Sequence, residues 1–220
     1  MRKMQHSSPD RPASETLDRS PTRRSLAKQQ TRQRILVAAR RLFGEAGYDG
    51  ATIRDIATAA GMSTGAVFAN FTDKSDLFIQ IMAEDGRTTL EAMQAAADQG
   101  ADIEAALVGA LMAGYGLYRR QAQLAHTALS VAWTQGGIAL RGLDFGGAVR
   151  SLFEAQVSAA EARGELRADP SVSLRSEMLY DIYLANFQLA ITEAADFAAL
   201  EARVRGQVRI LLAGVRRIAA

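Results

Sequence analysis

Four residues at the starts of helical segments, Thr52, Ser63, Thr64 and Lys74, set hydroxyl or ammonium groups beside backbone N–H groups that a helix leaves unpaired. Such groups hold phosphate; they do not make or break a covalent bond. No catalytic residue is expected. The chain has no cysteine, which excludes disulfide frameworks and cysteine metal sites. His126 is the only histidine outside the N-terminal tail, on an alanine-rich segment where packing or exposure accounts for it. With no histidine–carboxylate constellation and no phosphate-cradling glycine loop, neither metal nor cofactor is expected. Charge points the same way: residues 1–30 carry a net +4, residues 31–78 +1 and residues 79–220 −3, a basic front suited to a polyanion.

These residues need elements to position them. With 220 residues, 48% of them apolar, only four prolines and many alanines, the chain can bury a large helical core, so the fold class expected is all-α. Residues 1–28, with almost no large apolar side chain, read as a disordered basic arm. From Thr31, Ile35, Ala38, Ala39, Leu42, Phe43 and Ala46 recur on one helical face, Arg32, Arg34, Arg40 and Arg41 take the other positions, and Gly47 stops the helix. Thr52 caps a short second helix with Asp55 three residues on, and Ile53, Ile56, Ala57 and Ala60 form its buried face. Gly61 supplies a left-handed turn, Ser63 caps a third helix, and Val67 and Phe71 point inward. Two short helices joined by such a turn make a helix-turn-helix. On its third helix Gly65, Ala66 and Ala69 are small enough to let the backbone approach a major groove about 12 Å wide. Asp73 then caps a long helix from Lys74 to about residue 97, and five further helices are expected at 102–120, 122–135, 142–163, 171–195 and 197–218. Asp169 is the expected cap, and Pro170 the first residue, of the fourth of these.

The run ILVAARRLFGEAGYDGATIRDIATAAGMSTGAVFANFTDKSDLF, within residues 31–78, resembles the DNA-binding domain of the tetracycline-repressor (TetR) family of bacterial transcription regulators. Phe43, the Gly47-Tyr48 turn, the Thr52/Ile53/Ile56/Ala57 helix, Gly65, the closing Phe71 and Lys74 carry the resemblance. It implies three units: a disordered arm over 1–28, a helix-turn-helix DNA-binding domain over 29–78, and a helical effector-binding and dimerisation domain over 79–220, joined by the long helix. It implies a DNA face of Thr52, Arg54, Ser63, Thr64, Gly65, Ala66, Phe68, Ala69, Asn70 and Lys74, with Arg54 placed for a bidentate guanine contact. Phe68 and Asn70 stand where the family often has a tyrosine and a tyrosine or histidine. Position 68 therefore lacks an aromatic hydroxyl, unless Phe68 is a core residue beside Val67 and Phe71.

For the rear, the resemblance implies that the last two long helices pair with those of a second subunit. Leu174, Met178 and Ile182 form one stripe and Leu200, Val204, Val208, Leu211 and Val215 another, and stripes of this kind must be covered. Met112, Tyr115, Trp133, Phe145, Phe153, Tyr183 and Phe187 are the residues expected around a small, largely apolar effector, with core packing the competing reading of each. The partners expected are double-stranded operator DNA, a second copy of the chain and that effector. A regulator gated by a protein partner or by nothing, and a DNA-processing enzyme, are the alternatives. The longest apolar run, residues 105–118, is interrupted by three glycines and falls short of the ~20 residues that span a bilayer, so no membrane role is expected. The compartment expected is the bacterial cytoplasm.

Overall fold

The computed structural model describes residues 23–134, 145–168, 170–192 and 196–215, and among them the chain is all-α, with nine helices. The first, α1, runs Arg23–Gly50. Residues 23–28, expected in the disordered arm, are instead its opening turns; residues 1–22 lie outside the described residues. Once a helix is nucleated, each added residue gains a hydrogen bond, so Leu26, Ala27 and Lys28 extend it without apolar burial. Gly47 breaks α1 near its end with φ 73° and ψ 175°, the left-handed half of the map that glycine enters without a Cβ clash.

The helix-turn-helix follows as α2 (Ile53–Ala60) and α3 (Thr64–Phe68). The Asp55 N–H donates to the Thr52 hydroxyl, which donates in turn to the Asp55 carboxylate at 2.6 Å. Gly61, at φ 66°, turns the chain, and Ser63 accepts from the Ala66 N–H to start α3. Asp73 caps α4 (Lys74–Asp98), and the Asp76 carboxylate accepts from the Thr72 N–H.

Beyond α4 come α5 (Ile103–Arg119), α6 (Ala122–Thr134), α7 (Phe145–Ala162), α8 (Val172–Ala190) and α9 (Phe197–Leu212). The start expected for α8 needs correction. Asp169 lies outside the described residues, Pro170 and Ser171 form a turn, and the helix begins at Val172. The preceding segment is held against the end of α9, where the Arg167 N–H donates to the Val215 carbonyl and Leu166 is buried. Arg167 and Arg175 also donate to the Gly214 and Leu211 carbonyls, capping the negative end of α9. The Glu165 carboxylate accepts from the Ile103 N–H at 2.7 Å and so caps α5.

Two cores form. The rear core joins α4, α5, α7, α8 and α9 around Leu107, Leu111, Tyr115, Phe153, Val157 and Tyr183. Leu200, Val204, Val208, Leu211 and Val215 belong to it, all at most 9% exposed, so this expected dimer stripe is covered inside its own subunit. Buried Glu104 on α5 pairs with Arg205 and Arg209 on α9, which fastens that helix inward. The front core joins Ile35, Ala39 and Phe43 of α1 with Ile56, Val67, Leu77 and Phe78, and it also takes Leu124 and Val131 from α6. Each fully buried side chain of this size contributes about 1.5–3 kcal/mol. The described boundary between the cores is therefore not at residues 78 and 79, since α6 lies beyond that point and packs on α1. No helix among the described residues is long and apolar enough to cross a membrane.

Candidate nucleic-acid interface

The third helix is only five residues long, and its faces divide cleanly. Val67 is fully buried and Phe71 nearly so, whereas Ser63, Thr64, Gly65, Phe68 and Ala69 are exposed and Ala66 half-buried. A Cβ added at Gly65 would meet only the Ser63 hydroxyl, at 3.8 Å, so close packing against another helix does not explain this glycine. Phe68 is 56% exposed, which removes it from the core beside Val67 and Phe71.

The remaining residues of the expected face are more engaged. Thr52 is exposed, but its hydroxyl already donates to the Asp55 carboxylate. A phosphate there would have to displace a like-charged group. Arg54 is exposed at the start of α2. Asn70 turns partly inward: its amide donates to the Ala66 carbonyl, and its side-chain oxygen is buried without a partner. The Lys74 ammonium donates to the Tyr48 carbonyl at 2.8 Å and sits 4.4 Å from the Tyr48 ring centre, which ties the start of α4 to the turn after Gly47. It retains two further N–H donors.

Residues 35–81 match the family described as bacterial regulatory proteins, tetR family. Over 61 residues the chain is 48% identical to the HTH-type transcriptional repressor AcnR of Corynebacterium glutamicum, covering 28% of this chain and 32% of AcnR. Residues 35–81 are therefore a TetR-family domain. The match with AcnR spans about a third of that protein's length. The whole fold resembles a TetR-family transcriptional regulator from Pectobacterium atrosepticum, with a TM-score of 0.69, 21% identity and coverage of 90% of this chain and all of that one. It also resembles FadR from Bacillus subtilis, solved in complex with stearoyl-CoA, with a TM-score of 0.62 and 19% identity over 84% of this chain and 99% of that one. At these identities the likeness is one of fold.

The TetR-family domain is held by arginines that lie off the apolar face of α1. Arg34 donates to the Ala60 carbonyl at 2.7 Å, at the end of α2. Arg32 donates to the Asn70 carbonyl at 2.9 Å, just past α3, with its guanidinium 4.3 Å from the Phe71 ring centre. Arg40 reaches the other way. It pairs with Asp85 and Glu84 on α4 and donates to the Gln121 amide oxygen at 3.0 Å, while the Thr127 hydroxyl donates to the Phe43 carbonyl. Burial raises the Asp85 carboxyl above its usual range, against the lowering effect of Arg40.

Of the residues expected around an effector, Tyr115, Phe153 and Tyr183 are buried in the rear core and Phe145, Phe187 and Met112 pack against it. Tyr115 and Tyr183 stack at 5.2 Å between ring centres, and a Cβ on Gly114 would come within 2.8 Å of the Tyr183 ring. The Trp133 side chain lies outside the described residues. A cleft of about 40 Å³ opens instead at the joint of α4, α5 and α6, lined by Asp85, Thr89, Tyr118, Gln121 and Leu124 among others. Of the expected dimer residues, Leu174 and Met178 on α8 are 55% and 45% exposed, Ile182 is half-buried, and the neighbouring Ile210 of α9 is 79% exposed.

Proposed function

We propose that the chain is a DNA-binding transcriptional regulator, a repressor like the AcnR relative, that reads a palindromic operator as a homodimer in the bacterial cytoplasm. The observation that carries this reading is the short third helix of a TetR-family domain, presenting Thr64, Gly65, Phe68 and Ala69 outward with open space at Gly65. A small-faced helix of this kind suits a groove. Thr52, Arg54, Ser63, Ala66, Asn70 and Lys74 complete the proposed face, with Asn70 and Lys74 at its edge because both already have partners within the fold. Dimerisation is assigned to the outer face of α8, where Leu174 and Met178 lie uncovered beside Ile210.

Selection of bound duplexes from a random pool tests the reading. A near-palindrome with half-site centres about 34–36 Å apart, or a small multiple of that, is the outcome expected of a two-fold pair. Recovery of one asymmetric site occupied by a single subunit, or of no preferred sequence, counts against it.

Release by a small, largely apolar effector is the finer part of the proposal, and FadR in complex with stearoyl-CoA is a fold relative consistent with it. A second reading, regulation without a small-molecule effector, is favoured by the packing of Tyr115, Phe153 and Tyr183, which fill their part of the rear core with side chains; among the described residues a recess of about 560 Å³, the size a drug-sized ligand fills, lies instead on the outer face of α8 and α9 beside Met178, Ile182 and Ile210. Repeating the selection with and without acyl-CoA and other apolar probes separates the two: a probe that releases the operator must itself be bound more weakly, by the same factor, when operator is present, whereas regulation without an effector predicts no change with any probe.

A further inference from the structure

We infer that Arg32 is a positioning residue: by holding the Asn70 carbonyl and the Phe71 ring it sets the direction of α3, and so governs discrimination between operator and random DNA without touching a base. The inference rests on the proposed DNA-reading function and adds to it a residue outside the proposed DNA face.

A helix of five residues cannot hold its own direction, since isolated helices well above this length are marginal in water. What grips its ends decides where its outward side chains point. At the front end the grip is the left-handed Gly61, the Ser63 cap and Arg34 on the Ala60 carbonyl. At the far end the chain turns at Ala69 and Asn70 into the buried Phe71, and there the guanidinium of Arg32 meets both a carbonyl and a ring face. A cation suits this position because the end of a helix carries exposed carbonyl dipoles. Arg32 and Arg34 are two residues apart on α1, so one rigid helix holds both ends of the reading unit.

The two components of DNA affinity respond differently to such a grip. Attraction to phosphates depends on charge and tolerates small rotations, whereas base contacts depend on hydrogen-bond geometry that weakens steeply with angle. Loosening the grip therefore lowers operator affinity and spares random-sequence affinity. Loss of a direct phosphate contact would lower both together and reduce the salt dependence.

The test compares Arg32→Met, Arg32→Lys and Arg41→Met in the full-length protein, each checked for cooperative melting. Among the described residues Arg41 pairs with Glu45 on its own helix, so its loss matches the charge change without reaching α3. Affinity for the selected operator and for random duplex is measured over a range of salt. Relative to Arg41→Met, Arg32→Met is expected to bind operator about tenfold more weakly, with unchanged affinity and salt slope on random DNA. Arg32→Lys, which keeps the charge but not the planar fork, is expected to fall between Arg32→Met and wild type. Equal losses on both DNAs, or no loss beyond that of Arg41→Met, overturn the inference. Should Arg32→Met fail to fold, Arg32→Lys decides: a reduced ratio of operator to random affinity supports the clamp, and a wild-type ratio overturns it. A wild-type protein with no sequence preference would overturn the DNA-reading proposal itself, whereas a ratio of operator to random affinity left at the wild-type value by loss of Arg32 overturns only the clamp.

Discussion

At Phe68 a benzyl side chain more than half exposed stands on the proposed DNA face with no polar atom to offer. Replacing it by tyrosine adds a hydroxyl in solvent, so the melting temperature should stay near that of the parent. Beside a sugar-phosphate chain the same hydroxyl would donate to a charged oxygen, a bond worth at best about 1.5–3 kcal/mol and less where water already serves that oxygen. Phe68→Tyr is thus expected to tighten binding to operator and random DNA alike, read by titration of both duplexes. A destabilised protein with unimproved binding would contradict the exposed placement. The neighbouring Asn70 shows the limit of reading a residue from its position in a family pattern. Its amide bonds back to Ala66 in the short helix that precedes it, a choice made by a turn that nothing in the residue type announces.

The glycines on either side of Ser63 have opposite duties, and the elements they belong to make this measurable. Gly61 sits at φ 66°, and a Cβ there would also lie 3.2 Å from the Arg34 guanidinium. Gly61→Ala is expected to cost about 1–2 kcal/mol of stability from the left-handed backbone alone. Gly65 has ordinary helical geometry and open space, so Gly65→Ala should raise stability by about 0.5–1 kcal/mol while weakening DNA binding through the added methyl. Denaturant titration of both variants, with DNA affinity measured on the second, checks the pair; a stabilised Gly65→Ala with unchanged binding would move the groove-facing side elsewhere. Elements of this kind were legible in sequence because caps and left-handed turns act over three or four residues. Thr52, Gly61, Ser63 and Asp73 all stand where local rules put them. The exact start of α8 was not legible: Pro170 and Ser171 form a turn, and the segment before them is tied by the Arg167 N–H to a carbonyl 48 residues away. What Arg32, Arg34 and Arg40 hold was not legible for the same reason: polarity says that a side chain avoids the core, not that it reaches a distant helix.

Over the whole molecule, the two C-terminal stripes that looked equivalent in sequence are separated by packing. The α9 stripe faces α5 and α8 within the subunit, whereas Leu174 and Met178 remain uncovered. Periodicity marks a face that must be buried but cannot say by which neighbour. Met178→Glu is expected to leave the fold intact and shift the protein to monomers in sedimentation experiments, because a carboxylate would be buried without a partner in the proposed interface. An unchanged dimer would place the interface elsewhere. The rear core also makes a prediction for pH. Burial above all raises the hydroxyl pKa values of Tyr115, Tyr118 and Tyr183 above the ordinary 10.0. Below that value their contribution to stability is complete. Above it the unfolded chain releases protons that the folded chain keeps, so stability should fall by about 1.4 kcal/mol per pH unit for each such group. Urea midpoints between about pH 9 and about pH 11 should show this fall, and Tyr118→Phe should flatten it.

The share that α6 takes in the front core has a consequence during synthesis. Phe43 and Phe78 leave the ribosome early, but Leu124, Thr127 and Val131, which wall that core and bond the Phe43 carbonyl, follow roughly fifty residues later. At about 5–20 residues per second this leaves an interval of about 3–10 s in which the reading helices exist as sequence while their apolar side stands open. The nascent chain therefore completes its proposed DNA-reading unit only after more than a third of residues 79–220 has been made.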